Sequence, residues 1–155
     1  MAKEIERKFL LRNDAWRSLA EGRYYCQGYI PTQGKQTVRA RIIDQQGYLT
    51  LKGPTQGISR SEFEYEIPLV DAQMILTELC QQPLIEKHRY RIPLGKVVWE
   101  VDEFLGQNQG LTLAEVELTH ELQTVELPHW IGKEVTGDPR YYNSNLVRHP
   151  FKDWV

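Results

Sequence analysis

The sequence predicts a mainly β fold of the α+β class. Eight antiparallel strands are expected to close into a barrel, or tunnel, with a charged lumen and a few covering helices. Three observations support this prediction: charged residues recur at every second position, glycine- and proline-containing turns separate these segments, and stretches with helical spacing are few. We expect the 155 residues to form a single domain over residues 1–155, because no linker or long repeat divides them.

Alternating charges mark the predicted strands. A period of two places the charged side chains of a strand on one face and the intervening, mostly apolar, residues on the other. In chain order the alternating sets are Glu4-x-Glu6-x-Lys8, Arg39-x-Arg41, Tyr48-x-Thr50-x-Lys52, Glu62-x-Glu64-x-Glu66, Lys87-x-Arg89-x-Arg91, Glu100-x-Asp102 and Glu115-x-Glu117.

Turn signals join these strands into hairpins, which predicts a mainly antiparallel sheet. A loop containing Gly53, Pro54 and Gly57 precedes a strand over 60–68. The hairpin turns are Gln46-Gly47 between 39–44 and 48–52, Pro93-Leu94-Gly95 between 90–92 and 97–102, and Gly106 to Gly110 between 97–104 and 113–118.

Three or four short helices are predicted from capping residues and breakers. They are a helix over 15–20 capped by Asn13 or Asp14 and ended by Gly22, a helix over 72–82 capped by Asp71 and ended by Pro83, a turn around 128–132, and a last helix from Asp138-Pro139 through about Val147.

The charged faces are predicted to point into the barrel. A single Glu-x-Glu pair is usually part of the solvated face of an antiparallel sheet. Here whole strands carry one sign, and carboxylates about 7 Å apart on one face repel by about 2.4 kcal/mol at an effective dielectric of about 20. Closing about eight strands into a barrel brings acidic and basic strands together and leaves room for one small ligand.

A lumen of this composition is suited to a polyphosphate–metal complex. Arginine and lysine bind phosphate oxygens through charge-assisted hydrogen bonds. Carboxylates without accompanying cysteines or paired histidines favour the hard cations Mg²⁺ or Mn²⁺. Phosphoryl transfer to water needs mainly positioning and charge neutralisation, and this set of residues offers both.

The segment Glu4-Ile5-Glu6-Arg7-Lys8-Phe9 resembles the CYTH superfamily, also called triphosphate tunnel metalloenzymes. That group includes class IV adenylyl cyclases, thiamine triphosphatases, inorganic tripolyphosphatases and fungal RNA triphosphatases. The resemblance spans nearly the whole chain, because the alternating sets above occur in the family's order. Gly137-Asp138-Pro139-Arg140-Tyr141 is similar to the compact bacterial branch.

The resemblance implies roles for individual residues. Tyr29 resembles a tyrosine that some members pair with a lysine to activate water, so Lys8, Tyr29 and Lys87 are the catalytic candidates; the alternative is that Tyr29 is an ordinary aromatic at a strand end. The implied triphosphate-binding cations are Lys8, Arg39, Arg41, Lys52, Lys87 and Arg89. The acidic residues, of which a subset would hold Mg²⁺ or Mn²⁺, are Glu4, Glu6, Glu62, Glu64, Glu100, Asp102, Glu115 and Glu117.

The activity that the resemblance implies is metal-dependent hydrolysis of a triphosphate. Inorganic tripolyphosphate, cleaved to pyrophosphate and phosphate, is the first expected substrate, and nucleoside or thiamine triphosphates are secondary ones. One alternative is a class IV-type adenylyl cyclase, in which the ribose 3′-hydroxyl replaces water as the nucleophile. The other is a non-catalytic module that binds polyphosphate or nucleotides, which would not need the acidic residues.

The overall composition limits the classes of binding partner and the cellular compartments that we expect for this protein. A net charge of −2 argues against general binding to nucleic acid or membrane surfaces. No apolar run approaches the ~18 residues of a membrane helix, and Met1-Ala2-Lys3-Glu4 lacks the apolar part of a signal peptide. Cys26 and Cys80 have no metal-binding spacing and read as free thiols, so we expect a cytoplasmic protein. Family analogy alone allows a homodimer.

Overall fold

Nine antiparallel strands form a sheet that curls until its ends meet. The computed structural model describes residues 3–154. Met1 and Ala2, which belong to the segment predicted to lack a signal peptide, and Val155 lie outside the described residues. The strands are β1 (Lys3–Leu11), β2 (Gly22–Ile30), β3 (Thr37–Ile43), β4 (Gln46–Lys52), β5 (Ser59–Ile67), β6 (Ile85–Leu94), β7 (Val97–Phe104), β8 (Thr112–Glu117) and β9 (Ile131–Glu134).

Eight of these strands close the barrel, which confirms the predicted architecture. Their order is β5-β4-β3-β2-β6-β7-β8-β1, and β1 pairs again with β5 through Lys3–Ile5. The ninth strand, β9, pairs with β1 at Phe9 and Leu11, beyond the stretch of β1 that pairs with β5.

The sequence analysis did not identify β2 or β9. Gly22 begins β2, although we expected it to end a helix, and that helix is only a 3₁₀ turn at Ala15–Ser18. The alternating-charge pattern could not mark β2, because Arg23 is its only charged residue. The turn predicted around 128–132 exists, with the Ile131 amide donating to the Pro128 carbonyl, but the chain then continues into β9.

Residues 3–154 contain two α-helices, at bounds that differ from the predicted ones. Helix α1 (Leu69–Glu78) starts directly after Pro68, so Asp71 lies within its first turn instead of capping it. The predicted last helix is divided into a 3₁₀ turn at Pro139–Tyr141 and helix α2 (Asn143–Arg148). Further 3₁₀ turns are at Gly106–Asn108 and Phe151–Asp153. None of the helices within residues 3–154 has the length and apolar character needed to cross a membrane.

The apolar outer faces of the strands are covered by the connecting segments. Phe9, Trp99 and Val116 pack beneath Trp16 and Trp130 in one cluster. Helix α1 covers β3 in a second cluster, which includes Ala40, Leu76 and Cys80.

The C-terminal segment packs against one end of the barrel. Ile85, Phe104 and Leu113 have the strand parity of the charged lumen residues, yet they are buried in an apolar cluster with Tyr141 and Leu146. The inward face therefore changes from charged to apolar at this end, and the C-terminal segment forms the floor of the lumen.

Candidate active site

The barrel encloses a charged cavity of about 370 Å³. All the predicted cations, Tyr29 and all the predicted glutamates line this cavity, whereas Asp102 does not. The predicted lining residues are Glu4, Glu6, Lys8, Tyr29, Arg39, Arg41, Lys52, Glu62, Glu64, Lys87, Arg89, Glu100, Glu115 and Glu117.

The pairing register explains why these side chains share one space. Lys52 of β4 lies opposite Glu62 of β5, and Glu6 of β1 lies opposite Glu117 of β8. Because side chains alternate strictly along each strand, a correct register at one such pair places every second residue of both strands in the lumen.

Arg39 and Arg41 share a single acidic partner. The Nη2 atom of each arginine donates to Oε2 of Glu64 over 3.3 Å, and Arg39 also donates to Thr50 Oγ1 over 3.1 Å. Burial first, and then the nearby charges of Arg39 and Arg89, lower the pKa of Arg41 to about 10. The guanidinium groups are thus close enough to repel one another, and a bound polyanion would relieve that repulsion.

Asp102 lies behind the lumen wall and holds two of its cations. Its Oδ2 accepts from Lys87 Nζ and Arg89 Nη2, each over 2.8 Å, and its Oδ1 accepts from Arg89 Nε over 2.7 Å. Asp102 is only 1% exposed. Both of its oxygens are used by cations, so this geometry differs from the metal-binding role predicted for Asp102. The two-residue period correctly placed Asp102 on the inward face of β7, but it could not show that Asp102 is buried within the barrel wall instead of lining the cavity.

Lys52 links two glutamates of the acidic side. Its Nζ lies 2.9 Å from Glu4 Oε2 and 3.3 Å from Glu62 Oε2, and Arg60 Nε approaches Glu4 Oε1 at 3.4 Å. Although burial alone would raise it, the pKa of Glu4 is lowered by Lys52. The pKa of Glu62 is raised by burial and then by the charge of Glu4.

The pKa values of Glu6 on β1 and Glu115 on the neighbouring strand β8 are shifted in opposite directions. Burial, followed by the charges of Glu115 and Glu4, raises the pKa of Glu6 well above its ordinary value. Burial opposes ionisation of Glu115 too, but Lys8 and Arg89 hold its pKa well below the ordinary value. The site therefore contains more negative charge around Glu6 than its own lysines and arginines neutralise.

Lys8 and Tyr29 both face the lumen near its floor. Lys8 Nζ donates to the Tyr141 carbonyl over 3.1 Å and lies 3.8 Å from Glu115 Oε1. Burial lowers the pKa of Lys8, but Glu115 and Glu6 outweigh that effect and raise it overall. The Tyr29 hydroxyl accepts from Gln27 Nε2 over 3.0 Å. Lys8 is therefore a persistent cation in the cavity that Tyr29 also lines.

Several lining residues were missed by the sequence analysis. Asn143 accepts from Lys87 Nζ over 3.1 Å and from Gln27 Nε2 over 3.3 Å. The C-terminal segment therefore directly contacts the basic wall of the lumen, which consists of Arg39, Arg41, Lys52, Lys87 and Arg89. No periodic pattern marks this segment. The parity of Tyr29 could have revealed the inward-facing residues of β2. The missed residues include Arg23, Tyr25, Arg60, Tyr142, Asn143 and Ser144.

The acidic side fits a hard cation, although it is not arranged as a finished metal site. Within residues 3–154, no three His, Cys, Asp or Glu side chains converge as ligands would. The carboxylates nevertheless form an oxygen-only donor set, which is the set that Mg²⁺ and Mn²⁺ prefer. The raised pKa values of Glu6, Glu62 and Glu117, each due first to burial and next to neighbouring glutamates, indicate that a cation would relieve repulsion there.

The fold and the site together define a class of protein: a closed antiparallel barrel whose lumen has a basic wall facing an acidic one. Residues 2–146 match the CYTH domain, and the chain belongs to the CYTH family.

Curated and structural relatives cover nearly the full length of the chain. An inorganic triphosphatase of Acetivibrio thermocellus is 54% identical over 154 residues, which are 99% of each chain. An inorganic triphosphatase of Nitrosomonas europaea is 36% identical and covers 93% of this chain and 96% of its own. A crystal structure described as that of an inorganic triphosphatase superposes with a TM-score of 0.66 at 32% identity, covering 92% of this chain and 96% of that one.

Proposed function

We propose that this chain, as a single CYTH domain over residues 1–155, hydrolyses inorganic tripolyphosphate to pyrophosphate and phosphate with the help of a divalent cation. The observation that carries the proposal is the composition of the lumen, in which six cations expected to bind phosphate face a set of glutamates within one cavity. The name inorganic triphosphatase on relatives 54% and 36% identical supports the same substrate.

The basic wall binds and orients the substrate. Arg39, Arg41, Lys52, Lys87 and Arg89 supply donors to the phosphate oxygens and spread positive charge along the chain of phosphoryl groups. Since the transition state of phosphoryl transfer mainly needs charge stabilisation and in-line positioning, donors held in place before binding lower the barrier.

Lys8 and Tyr29 are assigned to the attacking water. In hydrolysis the water oxygen forms a bond to a terminal phosphorus, the bond from that phosphorus to the bridging oxygen breaks, and pyrophosphate leaves. We assign acceptance of the water proton to the Tyr29 oxygen as a phenolate, which becomes the neutral hydroxyl as the water oxygen attacks, and stabilisation of that phenolate to the Lys8 ammonium group. Activity that rises from neutral into alkaline pH is the expected consequence of this pair.

The divalent cation would be held by the acidic side, where Glu4, Glu6, Glu62, Glu115 and Glu117 lie. An Mg²⁺ or Mn²⁺ ion held there would supply positive charge that offsets the negative charge of the phosphate oxygens. Glu64 and Glu100 complete the acidic set but are already paired with arginines. Asp102 belongs to the basic wall in this proposal.

Product analysis tests the proposal against both alternatives. The purified protein is incubated with tripolyphosphate, ATP or thiamine triphosphate, each with Mg²⁺, Mn²⁺ or EDTA, and the products are separated by chromatography. Phosphate and pyrophosphate from tripolyphosphate, formed only with a metal, are the expected result. Cyclic AMP from ATP would instead establish the cyclase, and binding without any product would establish the non-catalytic module.

Two variants make this assay specific to the lumen. The Glu4→Gln, Glu6→Gln double variant should lose the activity, which excludes a contaminating phosphatase. Glu66→Gln is the matched control, because Glu66 lies on the same strand as Glu62 but is exposed and outside the cavity. Equal activity in all three proteins would refute the assignment of the site.

The same proposal places the enzyme in the cytoplasm, with a small-molecule triphosphate as its substrate and no nucleic-acid or membrane partner. Cys26 and Cys80 are both free thiols, which suits a reducing compartment. A homodimer remains a separate prediction, which sedimentation equilibrium would test.

A further inference from the structure

The ring of Tyr25 lies among three cations of the basic wall. Tyr25 lines the lumen from β2 and is only 5% exposed. The guanidinium carbons of Arg41 and Arg89 each lie 5.3 Å from the ring centroid, and Lys87 Nζ lies 5.9 Å from it. These distances are within the range in which an aromatic ring attracts a cation.

Strand order explains why one ring reaches cations from both sides. β2 pairs with β3 along one edge and with β6 along the other. Arg41 comes from β3, whereas Lys87 and Arg89 come from β6. Tyr25 therefore stands between two groups of positive charge that would otherwise face each other directly across β2.

The cations differ in how well other groups hold them. Arg89 is fixed by two bonds to Asp102, of 2.7 and 2.8 Å, and by one to Glu100. Arg41 has only the 3.3 Å bond to Glu64, which Arg39 shares, and its buried Nε has no hydrogen-bond partner within residues 3–154. The ring of Tyr25 is thus a main contact of the Arg41 guanidinium group.

We propose that Tyr25 is a positioning residue whose aromatic ring holds the Arg41 guanidinium group in place for the substrate, opposite the anchored Arg89. The inference rests on the proposed triphosphatase function and adds to it a residue that fixes the geometry of the phosphate-binding cations. The ring carries this role, and the hydroxyl group does not. A desolvated cation–π contact is worth about 2 kcal/mol, so loss of the ring should weaken substrate binding about ten- to thirtyfold.

Three variants separate the ring from the hydroxyl and from general damage. Tyr25→Leu removes the ring and should raise KM for tripolyphosphate about ten- to thirtyfold with little change in kcat. Tyr25→Phe keeps the ring and should stay within about threefold of the unmodified protein, since aromatic faces attract cations with or without a hydroxyl. Tyr24→Leu is the matched control, because Tyr24 is the adjacent residue on the outer face of β2 and is 43% exposed; it should retain full activity.

A double-mutant cycle tests whether Tyr25 acts through Arg41. In an Arg41→Ala background, Tyr25→Leu should add less than about threefold to KM, because the group that the ring positions is already absent. A purely structural role would instead add its full factor in both backgrounds. If Tyr25→Leu does not fold, Tyr25→Met provides an unbranched filler of the same space without a ring.

Binding of diimidotriphosphate, in which NH groups replace both bridging oxygens, is measured by calorimetry with Mg²⁺ for all variants. Its Kd should follow the same pattern as KM, and it reports on Tyr25 whether or not the protein turns over. No phosphate from tripolyphosphate with the unmodified protein would refute the proposed function alone. Equal Kd values for Tyr25→Leu and the unmodified protein, or equal losses in Tyr25→Phe and Tyr25→Leu, would overturn the inference about the ring.

Discussion

Replacing Asp102 by asparagine should destabilise the fold far more than it affects metal binding. Asp102→Asn keeps the shape of the side chain but removes its charge and substitutes a donor for one of the two acceptor oxygens. Lys87 and Arg89 then lose a partner that now accepts three of their hydrogen bonds over 2.7–2.8 Å. Both cations are buried, with side-chain exposures of 1% and 9%.

The magnitude follows from the cost of an uncompensated buried charge. Removing one partner of a buried ion pair typically costs about 3–5 kcal/mol. Lys87 can escape part of this penalty by losing its proton, because burial and the neighbouring Arg89 already lower its pKa to about 7. Arg89 cannot deprotonate, so most of the loss comes from Arg89. We expect the free energy of unfolding to fall by about 3–5 kcal/mol.

Urea unfolding measures this loss, and added Mg²⁺ separates the two roles that Asp102 could have. Glu100→Gln is the control, since Glu100 contacts Arg89 over 3.3 Å from a side chain 29% exposed, and it should cost at most about 1 kcal/mol. Mg²⁺ should stabilise Asp102→Asn as much as it stabilises the unmodified protein. An Asp102→Asn protein of normal stability that no longer responds to Mg²⁺ would show that Asp102 is a metal ligand and refute the reasoning.

Further predictions concern a titrating lysine, a tight helix contact and a surface ion pair. Because the pKa of Lys87 falls from 10.5 to about 7 on folding, the unfolded chain binds more protons between these values. The free energy of unfolding should therefore rise with pH across that window, and Lys87→Met should abolish this part of the rise in urea titrations. Gly47→Val should lower the thermal midpoint by several degrees, because a Cβ at Gly47 would lie 2.6 Å from the Ala72 Cβ of α1; an unchanged midpoint would mean that α1 shifts freely. Glu134→Gln removes a partly exposed ion pair with Arg7 and should change stability by less than about 1 kcal/mol in the same assay.

The barrel and most of its lumen could be predicted because both depend on the two-residue period of strands. Once Glu62 and Lys52 are paired across β4 and β5, the period alone brings Glu64 and Thr50 to the same face. Period and sign therefore predicted most of the glutamates, lysines and arginines that line the cavity, although not Arg23 or Arg60. β2 has no such regularity, since its inward positions alternate among arginine, tyrosine and glutamine, and Tyr25 was missed for this reason.

The two-residue period could not predict how deeply a side chain is buried in the barrel wall, or which residues outside the strands contact the site. Asp102 has the parity of a lumen residue, but its neighbours in register, Arg89 and Leu113, enclose it. Asn143 reaches Lys87 only because the C-terminal segment packs across the floor of the barrel. Contacts of this kind depend on tertiary packing between distant segments, for which a single sequence carries no repeating signal.

The structure divides the basic wall into cations that the substrate can recruit and cations that are fixed beforehand. Lys52 is paired with Glu4 and Glu62, which line the lumen, so a polyanion entering the cavity competes directly with those carboxylates. Arg89 is held mainly by Asp102, which is buried and does not line the lumen. Fixed donors lose little entropy when the transition state forms, whereas recruited donors release carboxylates that are then free to bind a cation. Binding of the phosphate chain should therefore favour binding of the divalent cation, and by thermodynamic reciprocity the cation should tighten binding of the phosphate chain by the same factor.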